Sequence, residues 1–250
     1  MEKYNIEDKE ENKLTNKDNM KISDSPNKNQ AQIAGAIIIM GVLIAGAILL
    51  KNNVPTAATN APISKMVGLN VKSFNTCLAS GKFKDKVQVD IDDGTKAGVN
   101  GTPSSFILKN GVVVDNIAGA QPLETVMKKI ADALKNDKKP IAAQMRPVSS
   151  DDHILGNVNA KIIIVEYSDL ECPFCKMFHN TMHQVVEKNN GDVAWIYRHY
   201  PIPQLHPKAF HEAEATECAW EQGGNSVFWK YTDKIFEITP SNNGLDEAKL

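Results

Sequence analysis

A continuous apolar run leads directly into two closely spaced cysteines. Residues 161–167, KIIIVEY, have the pattern of a strand that is covered on both faces of a sheet. CPFC follows at 172–175, and apolar side chains then recur at helical spacing through Phe178 and Met182. A second apolar run, VAWIYRHY, has the pattern of another buried strand. The order predicts a strand, a helix and a strand, and therefore an α/β fold.

The two cysteines have the spacing of a redox-active pair. Cys172 stands at the predicted start of the helix, where the pKa of a thiol falls from about 8.5 to roughly 3.5–7.5. Pro173 suits the first helical turn, because its missing N–H loses no hydrogen bond there. Cys175 lies one turn further along, close enough to form a disulfide with Cys172. A CxxC between a strand and a helix is a strong signal for thiol–disulfide chemistry.

A metal site is the alternative for the same segment. Cys175, His179 and His183 follow one another at intervals of four residues, so they share one helical face, and zinc accepts all three as ligands. Structural zinc sites usually pair two cysteine knuckles, whereas this sequence has one CxxC. The redox interpretation is therefore preferred, and a non-catalytic metal-binding module is kept as the alternative.

Composition excludes several other classes of protein. The chain has 250 residues, of which 42% are hydrophobic and 23% charged, so it can bury a core. Its formal net charge of −2 provides no broad basic surface, and no nucleic-acid partner is expected. Its 4 cysteines are too few for a small scaffold held together by disulfides.

The N-terminal part of the chain has the pattern of a membrane anchor. Residues 1–30 are rich in Lys, Asn, Asp and Glu, which predicts a disordered tail. Residues 31–50 carry no charge, and a helix of that length spans a bilayer core of about 30 Å. A cleaved signal peptide is the competing interpretation, although its apolar region is usually shorter. We expect an uncleaved transmembrane anchor, a linker at 51–63, a cytoplasmic tail and an extracytoplasmic domain.

Residues 64–137 form a second globular segment in this interpretation. Asn110-Gly111 separates two short β-rich runs, which predicts a hairpin with a tight turn. The apolar residues of 121–134 fall on one helical stripe. A helix should therefore follow the hairpin and pack against it.

The remaining stretches carry weaker patterns. Val87, Val89 and Ile91 alternate as in a strand, yet they lie among Lys and Asp without a preceding turn, so their structure stays open. Residues 138–160 are polar and contain prolines, which predicts a linker. Helices are expected at 206–222 and 227–238.

Longer motifs around these elements resemble one enzyme family. VEYSDLECPFCKMFH, WIYRHYPIPQLHPKA and EATECAWEQGGNSVFWKY resemble the first half of a DsbA-like thiol:disulfide oxidoreductase. VGLNVKSFNTCLASGKF, AGVNGTPSSFI and GAQPLETVMKKI resemble its second half. The resemblance covers about residues 62–134 and 145–250. It implies a thioredoxin-like fold with an inserted helical subdomain, in which 64–137 is the C-terminal half and 161–250 the N-terminal half.

The resemblance also implies roles for residues outside the CxxC. Thr102-Pro103 corresponds to a cis-proline loop that lies beside the cysteines and binds extended substrate. Without the resemblance, a trans bond before a strand would be the ordinary expectation. Glu166, six residues before Cys172, corresponds to a buried glutamate that relays protons. An edge-facing carboxylate is the plain alternative for Glu166.

Two further cysteines, Cys77 and Cys218, lie in predicted helical segments of the two halves. Because the domain is expected to face an oxidising compartment, we expect a structural disulfide between them. Two buried free thiols are the alternative.

Two features depart from the family pattern. Phe174 stands where the most oxidising relatives have histidine, and loss of a cationic neighbour should make the Cys172 thiolate less stable. We therefore expect a weaker oxidant. The half with Pro103 also precedes the half with the CxxC, and reading Leu250 directly into Pro62 restores a continuous helical passage. This is the order of a circular permutant, and pairing of the two halves between two chains is the alternative.

Together these patterns predict an anchored enzyme outside the cytoplasmic membrane that introduces disulfides into secreted or periplasmic proteins. Cys172 and Cys175 are the catalytic pair, supported by Pro173, Phe174 and Glu166, and no dissociable cofactor is needed. The resemblance implies reoxidation by a quinone-linked membrane partner. A reductase or isomerase with the same pair is the alternative, because sequence alone does not set the direction of exchange.

Overall fold

The computed structural model describes residues 61–135 and 139–250. The predicted tail, the predicted membrane segment and all but the end of the first predicted linker lie outside these residues. Within the two described ranges, no helix combines the length and the apolar character needed to cross a bilayer.

A mixed five-stranded sheet forms the centre of the domain. Its strands are β1 (Ser104–Lys109), β2 (Val112–Ala118), β3 (His153–Leu155), β4 (Ile162–Ser168) and β5 (Val193–His199). The strand order is β2-β1-β4-β5-β3. β4 and β5 run parallel, whereas β1 pairs antiparallel with β2 and β4, and β3 pairs antiparallel with β5.

Helices pack around the sheet, and one of them carries Cys175, the second cysteine of the CxxC. They are α1 (Ile63–Met66), α2 (Val71–Ser80), α3 (Lys84–Lys96), α4 (Leu123–Lys135), α5 (Pro173–Lys188) and α6 (Ala209–Ile238). A 3-10 turn follows at Glu247–Lys249. The strand, helix and strand predicted around the CxxC are β4, α5 and β5, so the mixed α/β class is confirmed.

The sheet is covered on both faces, because successive side chains of a strand point to opposite sides. Ile162 and Ile164 of β4 belong to the larger apolar cluster, together with Phe178 of α5. Val165 and Tyr167 of the same strand belong to a second cluster. This is the two-sided burial that KIIIVEY predicts.

The predicted hairpin is confirmed. Asn110 and Gly111 join β1 to β2, and their φ angles of 53° and 77° are the positive values that a tight two-residue turn requires. The predicted helix follows as α4, and Val126 and Ile130 on its apolar stripe enter the larger cluster.

The stretch whose spacing left its structure open is helical. Val87, Val89 and Ile91 belong to α3, and Val89 is 55% exposed. The buried face of α3 also carries Asp90 and Asp93. Their carboxylates pair with arginines from other segments. The spacing of apolar residues in the sequence therefore does not reveal the buried face of α3.

The predicted linker at 138–160 is more structured than expected. It contributes the edge strand β3, which is three residues long and therefore too short for an alternating pattern to show. Its Asp152 accepts hydrogen bonds from Arg146 and Arg198, each at 2.9 Å. Arg198 of β5 also donates to Asp93 at 2.8 Å, so this segment helps to neutralise a buried arginine.

The two helices predicted between residues 206 and 238 are joined as α6. The backbone is non-helical at Gly224, where φ is 66° and ψ is −163°. Glycine adopts a positive φ without steric cost, so the helical stretches on either side meet at a bend.

Ser64 and Leu250, which lie near the two ends that the permutation hypothesis would join, are in contact. The Ser64 N–H donates to the Leu250 carbonyl at 3.3 Å, and the Tyr231 hydroxyl donates to the same oxygen at 2.9 Å. If Leu250 were followed by Pro62, the first of these bonds would span three residues, as in a 3-10 turn.

Candidate active site

β4 and α5 position the two cysteines. β4 ends at Ser168, a short turn follows, and Cys172 is the N-cap residue of α5. Pro173 occupies the first helical turn, as the sequence predicts. Cys172 is 5% exposed, whereas Cys175 is fully buried. Of the two sulfurs, that of Cys172 is therefore the one that a substrate can reach.

β1 brings Thr102-Pro103 to the cysteines. The peptide bond between these two residues is cis, as the resemblance implies. β1 begins at the next residue, Ser104, which pairs with Tyr167 near the end of β4. The Thr102 carbonyl consequently lies 3.6 Å from the Cys172 sulfur, and it accepts a hydrogen bond from the thiol when Cys172 is protonated. Strand pairing thus joins two distant segments of the chain in one site.

The two cysteines differ in their electrostatics. A hydrogen bond from the Cys175 thiol lowers the pKa of Cys172 to about 6, against burial, which raises it, and with help from the backbone N–H groups of Cys175 and Phe174. Burial raises the pKa of Cys175 well above its ordinary value, and the neighbouring Cys172 raises it further. At neutral pH, Cys172 is therefore mainly a thiolate while Cys175 keeps its proton.

An acidic turn, which we did not predict from the sequence, contacts the buried sulfur of Cys175. The Asp169 N–H donates to the Cys175 sulfur at 3.5 Å. The Asp169 carboxylate accepts from the Ile202 N–H at 2.8 Å and lies 3.0 Å from Nδ1 of His206. The two acids of SDLEC, directly before the CxxC, are the sequence signal that could have indicated this turn.

Glu166 lies fully buried in β4, opposite Ser105 of β1. Neither of its carboxylate oxygens has a hydrogen-bond partner among the described residues. Burial raises the pKa of Glu166 to about 8, although the polar side chains of Ser168 and Trp195 oppose the rise. Charge on Glu166 also raises the pKa of Cys175, so the carboxyl lies within electrostatic reach of the buried sulfur.

We expect Glu166→Gln to change how stability depends on pH. The carboxyl ionises near pH 4.5 in the unfolded chain but near pH 8 in the fold, so the wild-type protein loses stability as the pH rises between these values. Glutamine does not titrate. The variant should therefore gain free energy of unfolding relative to wild type across this interval, by up to about 5 kcal/mol. Urea denaturation at a series of pH values measures the difference.

Glu187→Gln is the matched control, because Glu187 lies exposed on α5. Its difference from wild type should stay nearly constant with pH, since an exposed carboxylate keeps its water in the folded chain. A constant difference for Glu166→Gln as well would contradict the burial of Glu166 as a neutral acid.

The zinc ligand set that the sequence left as an alternative does not come together. The Cys175 sulfur contacts the Asp169 N–H, whereas His179 and His183 lie 2.7 and 2.9 Å from the Asp233 carboxylate of α6. Among the described residues, Cys175 belongs to no group of three or more metal-ligating side chains. The CxxC is therefore not part of a metal centre with these histidines.

Known proteins match parts of the chain. Disulfide bond formation protein D of Bacillus subtilis is 28% identical over 107 residues, which are 42% of this chain and 48% of that protein. Na(+)/H(+) antiporter NhaA 1 of Mycolicibacterium vanbaalenii is 37% identical over 94 residues, which are 37% of this chain and 15% of the antiporter. The crystal structure of Pseudomonas aeruginosa DsbA2 matches at 33% identity with a TM-score of 0.35, covering 44% of this chain and 63% of that one. The matches thus span less than half the length of these two curated relatives.

Two family models match the two halves of the domain. The DSBA-like thioredoxin domain matches residues 47–131, and a thioredoxin family matches residues 149–247. The chain is therefore similar to DsbA-like proteins of the thioredoxin fold. DsbA-like proteins of the thioredoxin fold are thiol–disulfide oxidoreductases. The acidic Cys172 beside a protonated Cys175 is the arrangement that such exchange requires.

The domain also contains a disulfide between Cys77 of α2 and Cys218 of α6. Their Cα atoms are 5.9 Å apart, within the usual range for a disulfide. Both residues are buried in the larger apolar cluster. The disulfide therefore joins helices from the two halves of the domain.

Proposed function

We propose that the chain is a membrane-anchored enzyme that acts outside the cytoplasm and introduces disulfide bonds into secreted proteins. The observation that carries the proposal is the asymmetric pair, with an acidic thiol at Cys172 and a buried, protonated thiol at Cys175. A stable thiolate on Cys172 favours the reduced form of the pair. The disulfide form is correspondingly an oxidant.

Substrate oxidation takes two exchange steps. A substrate thiolate attacks the sulfur of Cys172 in the Cys172–Cys175 disulfide, forms a mixed disulfide and releases Cys175, which takes up a proton. A second substrate thiolate then attacks the substrate sulfur of the mixed disulfide and releases Cys172 as a thiolate. Two electrons pass from the substrate to the enzyme. The low pKa of Cys172 makes it a good leaving group.

Neighbouring groups support these steps in the proposal. The backbone at Thr102-Pro103 pairs with an extended substrate segment beside Cys172, which permits broad specificity because main-chain bonds are independent of side chains. Glu166 exchanges a proton with Cys175, since a carboxyl whose pKa is about 8 can hold or release a proton near neutral pH. The exchange needs no dissociable cofactor.

The proposed location and partners rest on the sequence and on the second disulfide. The uncharged run at 31–50 would hold the domain at the outer side of the cytoplasmic membrane. The Cys77–Cys218 disulfide supports an oxidising compartment. The clients are cysteine-containing secreted or periplasmic proteins, and a quinone-linked membrane oxidase restores the active disulfide.

The reduction potential of the pair tests the direction of exchange. We expect a value between about −270 mV, as in thioredoxin, and about −120 mV, as in DsbA. Phe174 is 57% exposed, so Phe174→His places an imidazole, which is a cation when protonated, beside Cys172 without disturbing the core. The variant should lower the pKa of Cys172 and raise the potential by about 30 mV for each pKa unit. Equilibration in glutathione buffers, followed by alkylation and mass spectrometry, measures both proteins.

Phe174→Gln is the matched control, because it is polar but uncharged, and its potential should stay near that of the wild type. A wild-type potential at or below that of thioredoxin would overturn the oxidase proposal in favour of a reductase. Equal shifts of the reduction potential in the two variants would show that the polarity of residue 174, rather than its charge, controls the stability of the Cys172 thiolate.

A further inference from the structure

A second group of titratable side chains lies between α5 and α6. Nε2 of His179 and Nε2 of His183 are 3.1 Å apart. Oδ1 of Asp233 lies 2.7 Å from the first and 2.9 Å from the second. The three atoms form a compact triangle, and none of these residues takes part in the proposed exchange steps.

The triangle has the dimensions of a metal site. Zinc binds imidazole nitrogen and carboxylate oxygen at about 2.0–2.2 Å. An ion at that distance from all three atoms would be coordinated at angles of roughly 80–100°, which is one face of a coordination polyhedron. Two imidazoles from one helix and a carboxylate from another suit divalent transition ions.

At the triangle, His179 is buried and held in place by its neighbours, whereas His183 and Asp233 are partly exposed to solvent. The His179 side chain is 4% exposed, and its ring packs 5.1 Å from Trp195 and 4.5 Å from Phe236, between ring centroids. The side chains of His183 and Asp233 are 37% and 43% exposed. An ion can therefore enter from solvent and keep water on its outer side.

A second cluster, of His153, His199 and Glu217, has a different character. It is the other group of three metal-ligating side chains among the described residues. Its side chains are at most 2% exposed, and Glu217 already pairs with Lys86 at 3.2 Å. Glu217 is thus neutralised without an ion, and the cluster offers no open side.

We propose that His179, His183 and Asp233 bind one divalent transition-metal ion, with Zn²⁺ as the probe. Water fills the remaining coordination positions, which face solvent. The ion links α5, the helix that begins beside Cys172, to α6. Cys175 is not a ligand, so the site is separate from the thiol–disulfide chemistry.

Zinc binding to the oxidised full-length protein, measured by isothermal titration calorimetry, tests this site. Oxidation joins Cys172 to Cys175 and removes both thiols as competing ligands. We expect one ion per chain, bound at least tenfold more weakly in His183→Gln and in Asp233→Asn. His211→Gln is the matched control, because His211 lies on α6 with its side chain 44% exposed, and it should bind zinc as the wild type does.

Failure to bind zinc, or a loss of less than tenfold in either folded variant, overturns the proposal. An equal loss in His211→Gln also overturns it, because the ion would then lie elsewhere. At one fixed zinc concentration, the Tm of the wild type and of His211→Gln should rise more than that of the other two variants. Circular dichroism reports whether each variant folds, and if one does not, the other decides.

Discussion

Cys172→Ser is expected to abolish disulfide exchange. The hydroxyl oxygen that replaces the sulfur cannot form a disulfide, so both exchange steps lose their covalent intermediate. The rate of oxidation of a dithiol peptide should fall by at least about 10³-fold, to the rate of the uncatalysed reaction. A peptide whose fluorescence changes when its two cysteines join measures the rate directly.

Cys175→Ser is the matched variant, because it separates the two roles of the pair. It should also lose turnover, but its Cys172 thiolate should attack a disulfide-containing peptide and accumulate a mixed disulfide, since no second thiol resolves it. Mass spectrometry under non-reducing conditions detects this adduct. Turnover that survives Cys172→Ser, or the absence of an adduct in Cys175→Ser, would sink the assignment of Cys172 as the attacking sulfur.

Removal of the Cys77–Cys218 disulfide is expected to cause a large loss of stability. The two cysteines are separated by 141 residues, and a cross-link over such a distance restricts the unfolded chain strongly. Replacement of both by alanine should lower the free energy of unfolding by about 2–5 kcal/mol. Urea denaturation under non-reducing conditions measures the loss.

Joint replacement of Cys172 and Cys175 by alanine is the control for this loss. It also removes two cysteines, but their disulfide closes a loop with only two residues between them, so the loss should be smaller by about 2–3 kcal/mol. The variant without the Cys77–Cys218 disulfide should keep its exchange activity, because that disulfide joins α2 to α6 and takes no part in exchange. Equal losses in the two double variants would contradict the chain-entropy explanation.

Elements whose buried side chains are apolar and regularly spaced along the chain could be predicted from sequence. β4 and α5 bury aliphatic and aromatic side chains at regular spacing. The turn at Asn110-Gly111 could be predicted because these two residues readily adopt positive φ angles. α3 could not be assigned, because part of its buried face consists of Asp90 and Asp93, which are neutralised by distant arginines. β3 was not predicted, because three residues are too few to show the alternating pattern of a strand.

The candidate site divides in the same way. The sequence by itself determined that Cys172 begins a helix with Pro173 in its first turn and Cys175 one turn later, because these are relations between near neighbours in the chain. The resemblance implied that Thr102-Pro103 lies beside the cysteines and that Glu166 is buried. Tertiary structure alone decided that the Thr102 carbonyl reaches Cys172, how far burial raises the pKa of Glu166, and that Asp233, rather than Cys175, joins His179 and His183. Each of these depends on burial or on strand and helix packing between distant segments, and a pKa or a ligand set follows from that environment.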